Sequence, residues 1–317
     1  MSALICGSIA YDNIMVFQGR FREHILPDQI HILNVAFLVP ELRREFGGCA
    51  GNIAYNLKLL GGEPLIMATV GSDFGAYRVR LDRLGLKLDL VREIEGLLTA
   101  QAYITTDLDD NQITAFHPGA MNESHRIEVP DAAAIKAANI ELAIVSPDGS
   151  RGMVEHAAQL HAAGVPFLFD PGQQLPTFEG SDLRRFVELA TWLAVNSYEA
   201  QLLTDRTGWS EAELATRVQA LIVTRGAEGS TIWAGGERHD IPAVKPAAIR
   251  DPTGCGDAYR AGLLHGIDRH YSWPEAGRLA ALLGSLKIAH RGTQNHQFTP
   301  ASLQQEYRTA FGHALRI

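Results

Sequence analysis

Short apolar runs recur along the 317 residues, spaced so that a helix fits between most of them. They cover residues 4–9, 65–70, 142–145, 167–169, 193–195 and 221–223. A strand buried on both faces reads as such an unbroken run, whereas a strand with one wet face alternates. Between the runs lie helical patterns, for example Ile53, Ala54, Leu57 and Leu60, stopping at Gly61-Gly62, and a further stretch over 74–84. Parallel neighbours need a crossover, so this rhythm predicts an α/β fold: a mostly parallel central sheet covered by helices on both faces. Residues 86–91 read as one more strand of it. Open sheets of this kind bind ligands beyond the carboxyl ends of their strands, so function is sought in the residues that follow each run.

Those residues are polar. Asp12 follows the first run closely, after Gly7-Ser8. Asp170-Pro171-Gly172-Gln173-Gln174 follows the fourth and Asn196-Ser197-Tyr198-Glu199 the fifth. The last pair offers hard oxygen ligands of the type Mg²⁺ takes, directly or through water; it also reads as an N-capped helix start. Thr224-Arg225-Gly226-Ala227-Glu228-Gly229 precedes a hairpin over 230–241 rather than a helix, which excludes a dinucleotide fingerprint. The stretch Asp251-Pro252-Thr253-Gly254-Cys255-Gly256-Asp257 then runs into a helical pattern. Glycines around Cys255 let successive amides form an anion nest at a helix N-terminus. Asp257 sits where nest and helix meet, a geometry suited to phosphoryl transfer with a carboxylate as base. Taken alone, the short G-x-G-D reads first as an ordinary turn with Asp257 as cap.

Outside the regular rhythm, residues 13–17 and 31–39 look extended, and 100–106 with 112–116 read as a hairpin around 107–111. Together they suggest a small β-lid built from insertions at about 12–42 and 98–122. Glu45-Phe46-Gly47-Gly48-Cys49-Ala50-Gly51-Asn52 opens a helix with close backbone approach to a ligand, and Asn52 can both donate and accept. With 36 acidic against 28 basic residues, the net charge of −8 argues against a general nucleic-acid or anionic-membrane surface. No apolar stretch approaches a membrane span, no basic leader precedes the first strand, and Cys6, Cys49 and Cys255 have no metal spacing. The expectation is a cytoplasmic protein.

The ordered set of Gly7-Ser8…Asp12, Gly47 to Asn52, Asn196/Glu199, Thr224 to Gly229 and Asp251 to Asp257 resembles the PfkB (ribokinase-like) kinases over nearly the whole chain. The resemblance implies one ribokinase-like α/β domain over 1–317. It implies Asp257 as catalytic base and Gly254, Cys255 and Gly256 as the anion hole. Asn196, Thr224, Gly226 and Gly229 would face ATP, and Asn196 with Glu199 would help position Mg²⁺. Asp251 and Thr253 would contribute oxygens to a monovalent-cation (K⁺) site. Within the family the lid is similar to that of mycobacterial-type bacterial adenosine kinases. The similarity runs through residues 19–23, Leu26-Pro27, the 36–39 run, Phe116-His117-Pro118-Gly119, Gln173-Gln174-Leu175 and Thr207-Gly208-Trp209. On that likeness Ser8, Asp12, Gly48 and Asn52 hold a ribose, Phe116 stacks on the base and Gln173 lies nearby. Ala36 stands where a serine is expected and Ala102 where a phenylalanine is, which opens the base pocket to inosine and guanosine.

The reading is an ATP- and Mg²⁺-dependent kinase for the 5′-hydroxyl of a purine nucleoside. A ribose or fructose kinase of the same family is the alternative, and a non-catalytic nucleoside-binding protein a second one. Exposed lid edges offer a route to a homodimer.

Overall fold

Each of the six apolar runs becomes a strand whose alternate side chains enter different cores, because successive residues of a strand point to opposite faces. The computed structural model describes residues 2–25, 34–109 and 111–315. In chain order its strands are β1 (Ser2–Cys6), β2 (Ala10–Val16), β3 (Glu41–Gly47), β4 (Leu65–Val70), β5 (Val91–Glu93), β6 (Ala100–Thr106), β7 (Gln112–His117), β8 (Ile140–Val145), β9 (Phe167–Phe169), β10 (Trp192–Asn196), β11 (Ala220–Thr224), β12 (Ser230–Ala234) and β13 (Glu237–Ile241). Its helices are α1 (Cys49–Leu59), α2 (Gly75–Arg83), α3 (Ala132–Ala137), α4 (Ser150–Ala162), α5 (Gly180–Leu189), α6 (Ser197–Thr207), α7 (Glu211–Arg217), α8 (Cys255–Asp268), α9 (Trp273–Ile288) and α10 (Pro300–Phe311).

Among the described residues the large sheet runs β13-β12-β11-β10-β9-β8-β1-β4-β5. It is parallel from β11 to β5, and the β12–β13 hairpin closes one edge in antiparallel fashion. Ala3 and Ile5 of β1 join a core with α1, α2, α8 and α9, while Leu4 and Cys6 join a second with α3 to α7. Both faces are therefore covered, as the unbroken runs require. Strand order reverses beside β1, so the loops after β1 and β8 diverge into a crevice at that switch point. No helix among the described residues is long and apolar enough to cross a membrane.

The lid is a separate four-stranded sheet, β3-β2-β6-β7, joined to the body through Gly7-Ser8-Ile9 and the start of α1. Two expectations need correction here. The lid strand anticipated over 31–39 is not one. Residues 31–33, Leu26-Pro27 and Asp110 lie outside the described residues, and 34–39 form no strand. The pairing strand is β3, residues 41–47, so the insertion runs past 42. Its side chains are mostly exposed or half-buried charges, so backbone pairing with β2 leaves no apolar alternation to read. The apolar 36–39 run instead supplies Phe37 to an aromatic cluster, 4.8 Å from Phe17 and 5.0 Å from Phe21 between ring centroids. Residues 86–91 likewise give only a bridge at Lys87 and the short β5. Leu86 and Leu90 pack at the edges of the two cores, which explains their apolar character without a long strand.

Candidate active site

The helix α8 begins at Gly254, whose φ of 79° is left-handed. A Cβ there would also crowd Thr293 Cγ2 at 3.0 Å, so the left-handed turn and the tight contact both favour glycine. The N–H of Cys255 is taken by the Pro252 carbonyl at 3.2 Å, and Gly256 and Asp257, next in the turn, line a cavity of about 510 Å³. A 14-residue helix thus aims its N-terminus at that cavity. Burial pushes the Cys255 thiol up to about 11 and Cys49 well above its usual value. Both are neutral thiols at physiological pH.

Asp257 Oδ2 accepts from Asn52 Nδ2 at 2.8 Å. Asn52 Oδ1 accepts from Gln294 Nε2 at 3.1 Å, which fixes the amide so that its nitrogen faces the carboxylate. Gln294 in turn donates to Tyr77 Oη. Burial raises Asp257 to about 6; the Asp170 charge adds to this, while the Asn52 bond and the Arg260 guanidinium oppose it. One helical turn further along α8, Arg260 pairs with Asp170 through Nε–Oδ2 at 3.2 Å and Nη2–Oδ1 at 3.1 Å, both residues being buried. In the sequence Asp170 stood out as a polar strand end within the family likeness, and Gln294 only as part of the turn closing the helix that starts at Trp273; the pairing of Arg260 carried no local signal.

On the lid side, Ser8 Oγ accepts from the Cys49 amide at 3.2 Å, and its carbonyl accepts from Ala50 at 2.9 Å. Gly48, at φ 86°, approaches so closely that a Cβ would lie 2.6 Å from Ser8 O and Ala10 N. The link between β1 and β2 and the start of α1 therefore interlock and bring Ser8, Gly48 and Asn52 together. Asp12 lies within β2 rather than in a loop after β1. Burial, then the Asp257, Asp251 and Glu45 charges, raise it to about 6. In register it stands opposite Glu45 of β3 and Ala102 of β6, and Ala102 stands opposite Phe116 of β7. Residues paired in this way share one face, so Asp12 and Phe116 flank a small side chain across two strand spacings, roughly 10 Å.

The cavity extends from Asp257 past Gln173, Asn196, Glu199, Thr224, Gly226 and Gly229 to apolar walls at Val244, Ile249 and Ile288. Nine of the seventeen candidate site residues line it; Ser8, Asp12, Gly48, Asn52 and Phe116 lie on the lid side of Asp257, and Gly254, Asp251 and Thr253 lie in the loop that leads into α8. Asn196 and Glu199 form a reciprocal capping box for α6: Asn196 accepts from the Glu199 amide at 2.8 Å, and Glu199 accepts from the Asn196 amide at 2.8 Å and from its Nδ2 at 2.7 Å. The cap and the cavity position coexist. Burial and the neighbouring Asp170 charge raise Glu199, against the pull of Arg260. Among the described residues no three His, Cys, Asp or Glu are grouped to hold a metal. One or two carboxylates beside an anion site nevertheless suit Mg²⁺, which keeps waters and binds mainly through phosphates. Asp251 and Thr253 do not form the expected open cation site: Asp251 Oδ1 accepts from the Thr253 amide at 2.9 Å, and the Lys287 ammonium occupies the space beside Asp251.

Comparison with known proteins bears on the family and the fold. The pfkB family carbohydrate kinase pattern matches residues 12–300. A nucleoside kinase of Burkholderia thailandensis, solved in complex with inosine, is 56% identical, with 100% of both chains covered and a TM-score of 0.90. Its structure with ADP-inosine superposes with a TM-score of 0.87 at 58% identity, over 100% of this chain and 98% of that one. The nucleoside kinase of Methanocaldococcus jannaschii, an archaeal member of the ribokinase family, is 28% identical by structure over 98% of this chain and 99% of that one, with a TM-score of 0.87.

Proposed function

The chain belongs to the pfkB family of carbohydrate kinases, and we propose that it is a nucleoside kinase moving the γ-phosphoryl of ATP to the 5′-hydroxyl of a purine nucleoside. One observation carries the reading. Asp257 lines the nucleotide cavity and at the same time bonds Asn52 of the lid-side set, so a single carboxylate borders both reactants. It takes the 5′-hydroxyl proton as the phosphoryl leaves ATP, and the first turn of α8, with Gly254, Cys255 and Gly256, faces the charge that develops. Asp12 accepts from the vicinal diol, with Ser8, Gly48 and Asn52 around the ribose and Gln173 nearby. Asn196 and Glu199 would hold Mg²⁺, directly or through water, and the ion would supply charge neutralisation at the phosphates. Closure of the lid excludes water from the transfer. The lid edges β3 and β7 have no outer neighbour among the described residues, and pairing of two copies there is the homodimer we propose.

The nature of the acceptor rests on the lid face. Ala102 stands in register between Asp12 and Phe116, and Phe116, 49% exposed, is free to stack on a base. A relative sharing more than half its residues was solved in complex with inosine. ADP release with Mg-ATP, measured across adenosine, inosine, guanosine, cytidine, ribose and fructose, tests this. Purine nucleosides are expected to turn over and the free sugars are not; preferential turnover of ribose or fructose would overturn the base-site assignment. Replacing Ala102 with Phe puts an aromatic ring between Asp12 and Phe116. The KM for inosine should then rise by about 10- to 100-fold, the cost of overpacking a formed pocket by 1–3 kcal/mol, with kcat for any nucleoside still bound little changed. An unaltered KM would remove Ala102 from the acceptor pocket.

A further inference from the structure

Lys287 of α9 is wholly buried. An ammonium in that position loses hydration and survives as a cation only if its three donors find oxygens. Here Nζ donates to the Asp251 carbonyl at 2.7 Å and to the His290 carbonyl at 3.3 Å, and lies 3.9 Å from Asp251 Oδ1. Asp251 Oδ1 also accepts from the Thr253 amide, and its Oδ2 accepts from the Gly292 amide at 2.9 Å. One ammonium therefore ties the loop that leads into α8 to the loop that follows α9. These loops meet at the anion hole itself, where Gly254 abuts Thr293. Burial lowers the Lys287 pKa, and the charges of Asp251, Asp257 and Glu45 oppose that fall.

We propose that Lys287 is the built-in cation of the anion loop, and that the enzyme consequently works without potassium. A monovalent ion sheds its water only where several carbonyl or carboxylate oxygens replace it. Beside Asp251 those oxygens already face a tethered ammonium, while the Thr253 residue is exposed. The residues present thus do not fit K⁺. Lys287 touches neither reactant; it is a positioning residue that sets the backbone from Asp251 to Gly254. The inference rests on the phosphotransfer reading and is independent of which nucleoside accepts.

Turnover of inosine, and ADP affinity by calorimetry, are to be measured in potassium, sodium and tetramethylammonium chloride at one ionic strength. The wild-type protein should give the same values in all three. Lys287→Met should lose roughly 10- to 100-fold in turnover in tetramethylammonium, the scale of an ångström-sized displacement of a catalytic loop. Potassium or ammonium, but not tetramethylammonium, should restore much of it by entering the vacated space. Potassium stimulation of the wild type would overturn the proposal. So would a fully active Lys287→Met protein in tetramethylammonium, or a folded one that no small cation rescues. If Lys287→Met does not fold, the wild-type comparison still decides. ADP binding needs no acceptor, so failure of every nucleoside to react would count against the acceptor assignment and leave the cation result standing.

Discussion

With asparagine in place of Asp257, turnover falls about 10²- to 10⁴-fold, the range lost when a positioned general base is removed, while inosine still binds. Asparagine keeps the shape, and its oxygen can still accept from Asn52 Nδ2, so the pocket retains its geometry. What it cannot do is take the 5′-hydroxyl proton. Melting behaviour separates this from misfolding. Burial raises Asp257 from 3.8 to about 6, so at neutral pH the carboxylate is charged in both folded and unfolded chains but less well solvated in the folded one. A neutral amide removes that cost, and the variant should melt no lower than wild type. Wild-type turnover in the variant would take Asp257 out of the chemistry. Loss of turnover together with inosine affinity and melting temperature would trace the effect to folding.

The same carboxylate shapes the pH profile. Asp12 is also raised to about 6, with burial first and the Asp257 charge next among the causes. Both must be ionised, one to accept the proton and the other to accept the diol. The wild-type kcat/KM should therefore fall as pH drops through about 6, more steeply than one titrating group allows, and the limb belongs to the pair. In the Asp257→Asn protein the residual activity loses one of these groups, and Asp12 loses a repelling neighbour, so the limb becomes shallower and moves to lower pH. For stability the sign is opposite. The folded chain holds these protons more tightly than the unfolded one, so the two carboxylates cost stability above about pH 6, and the cost fades as pH falls toward 4.

How far the sequence reveals such a site depends on whether a residue's role is local. The central strands were legible because burial on both faces leaves an unbroken apolar run, as in β4 (Leu65–Val70), where every residue is buried. The strand β3 was not, since its side chains carry charge and only its backbone pairs. Asp257, Gly254 and Asn196 stand beside the turns and caps that their own neighbours dictate, so a short window contains the signal. Asn52 was visible as the start of a helix, but its bond to Asp257 spans 205 positions. Gln294 and Arg260 act through partners 242 and 90 positions away, and nothing in their local pattern announces that. Lys287 reads as one of several polar residues along α9, ordinarily a solvated position. Only packing shows it buried. The capping box at Asn196 and Glu199 illustrates the converse: the ordinary structural role was legible and correct, and it holds the two side chains at the mouth of the cavity.

Replacing Asp12 with Ala should weaken inosine binding by about 10²- to 10⁴-fold, taking 1.5–3 kcal/mol for each hydrogen bond to a charged acceptor. The carboxylate sits among Asp257, Asp251 and Glu45, all of which disfavour its charge. A site that maintains it there gains only when hydroxyl donors arrive, which makes the diol its natural partner. The argument gives a sharper test than affinity alone. Wild type should discriminate strongly between inosine and 2′,3′-dideoxyinosine, which lacks both hydroxyls but keeps the base and the 5′-hydroxyl. In Asp12→Ala that discrimination should largely vanish, because the buried acceptor that rejected the dideoxy compound is gone. The fold should not suffer, since the neighbouring Asp257, Asp251 and Glu45 charges all disfavour a charged carboxylate at position 12. Calorimetry that finds inosine affinity retained in Asp12→Ala, or discrimination between the two nucleosides undiminished, would move the diol site elsewhere on the lid and leave the crowding of charge at Asp12 without a ligand to explain it.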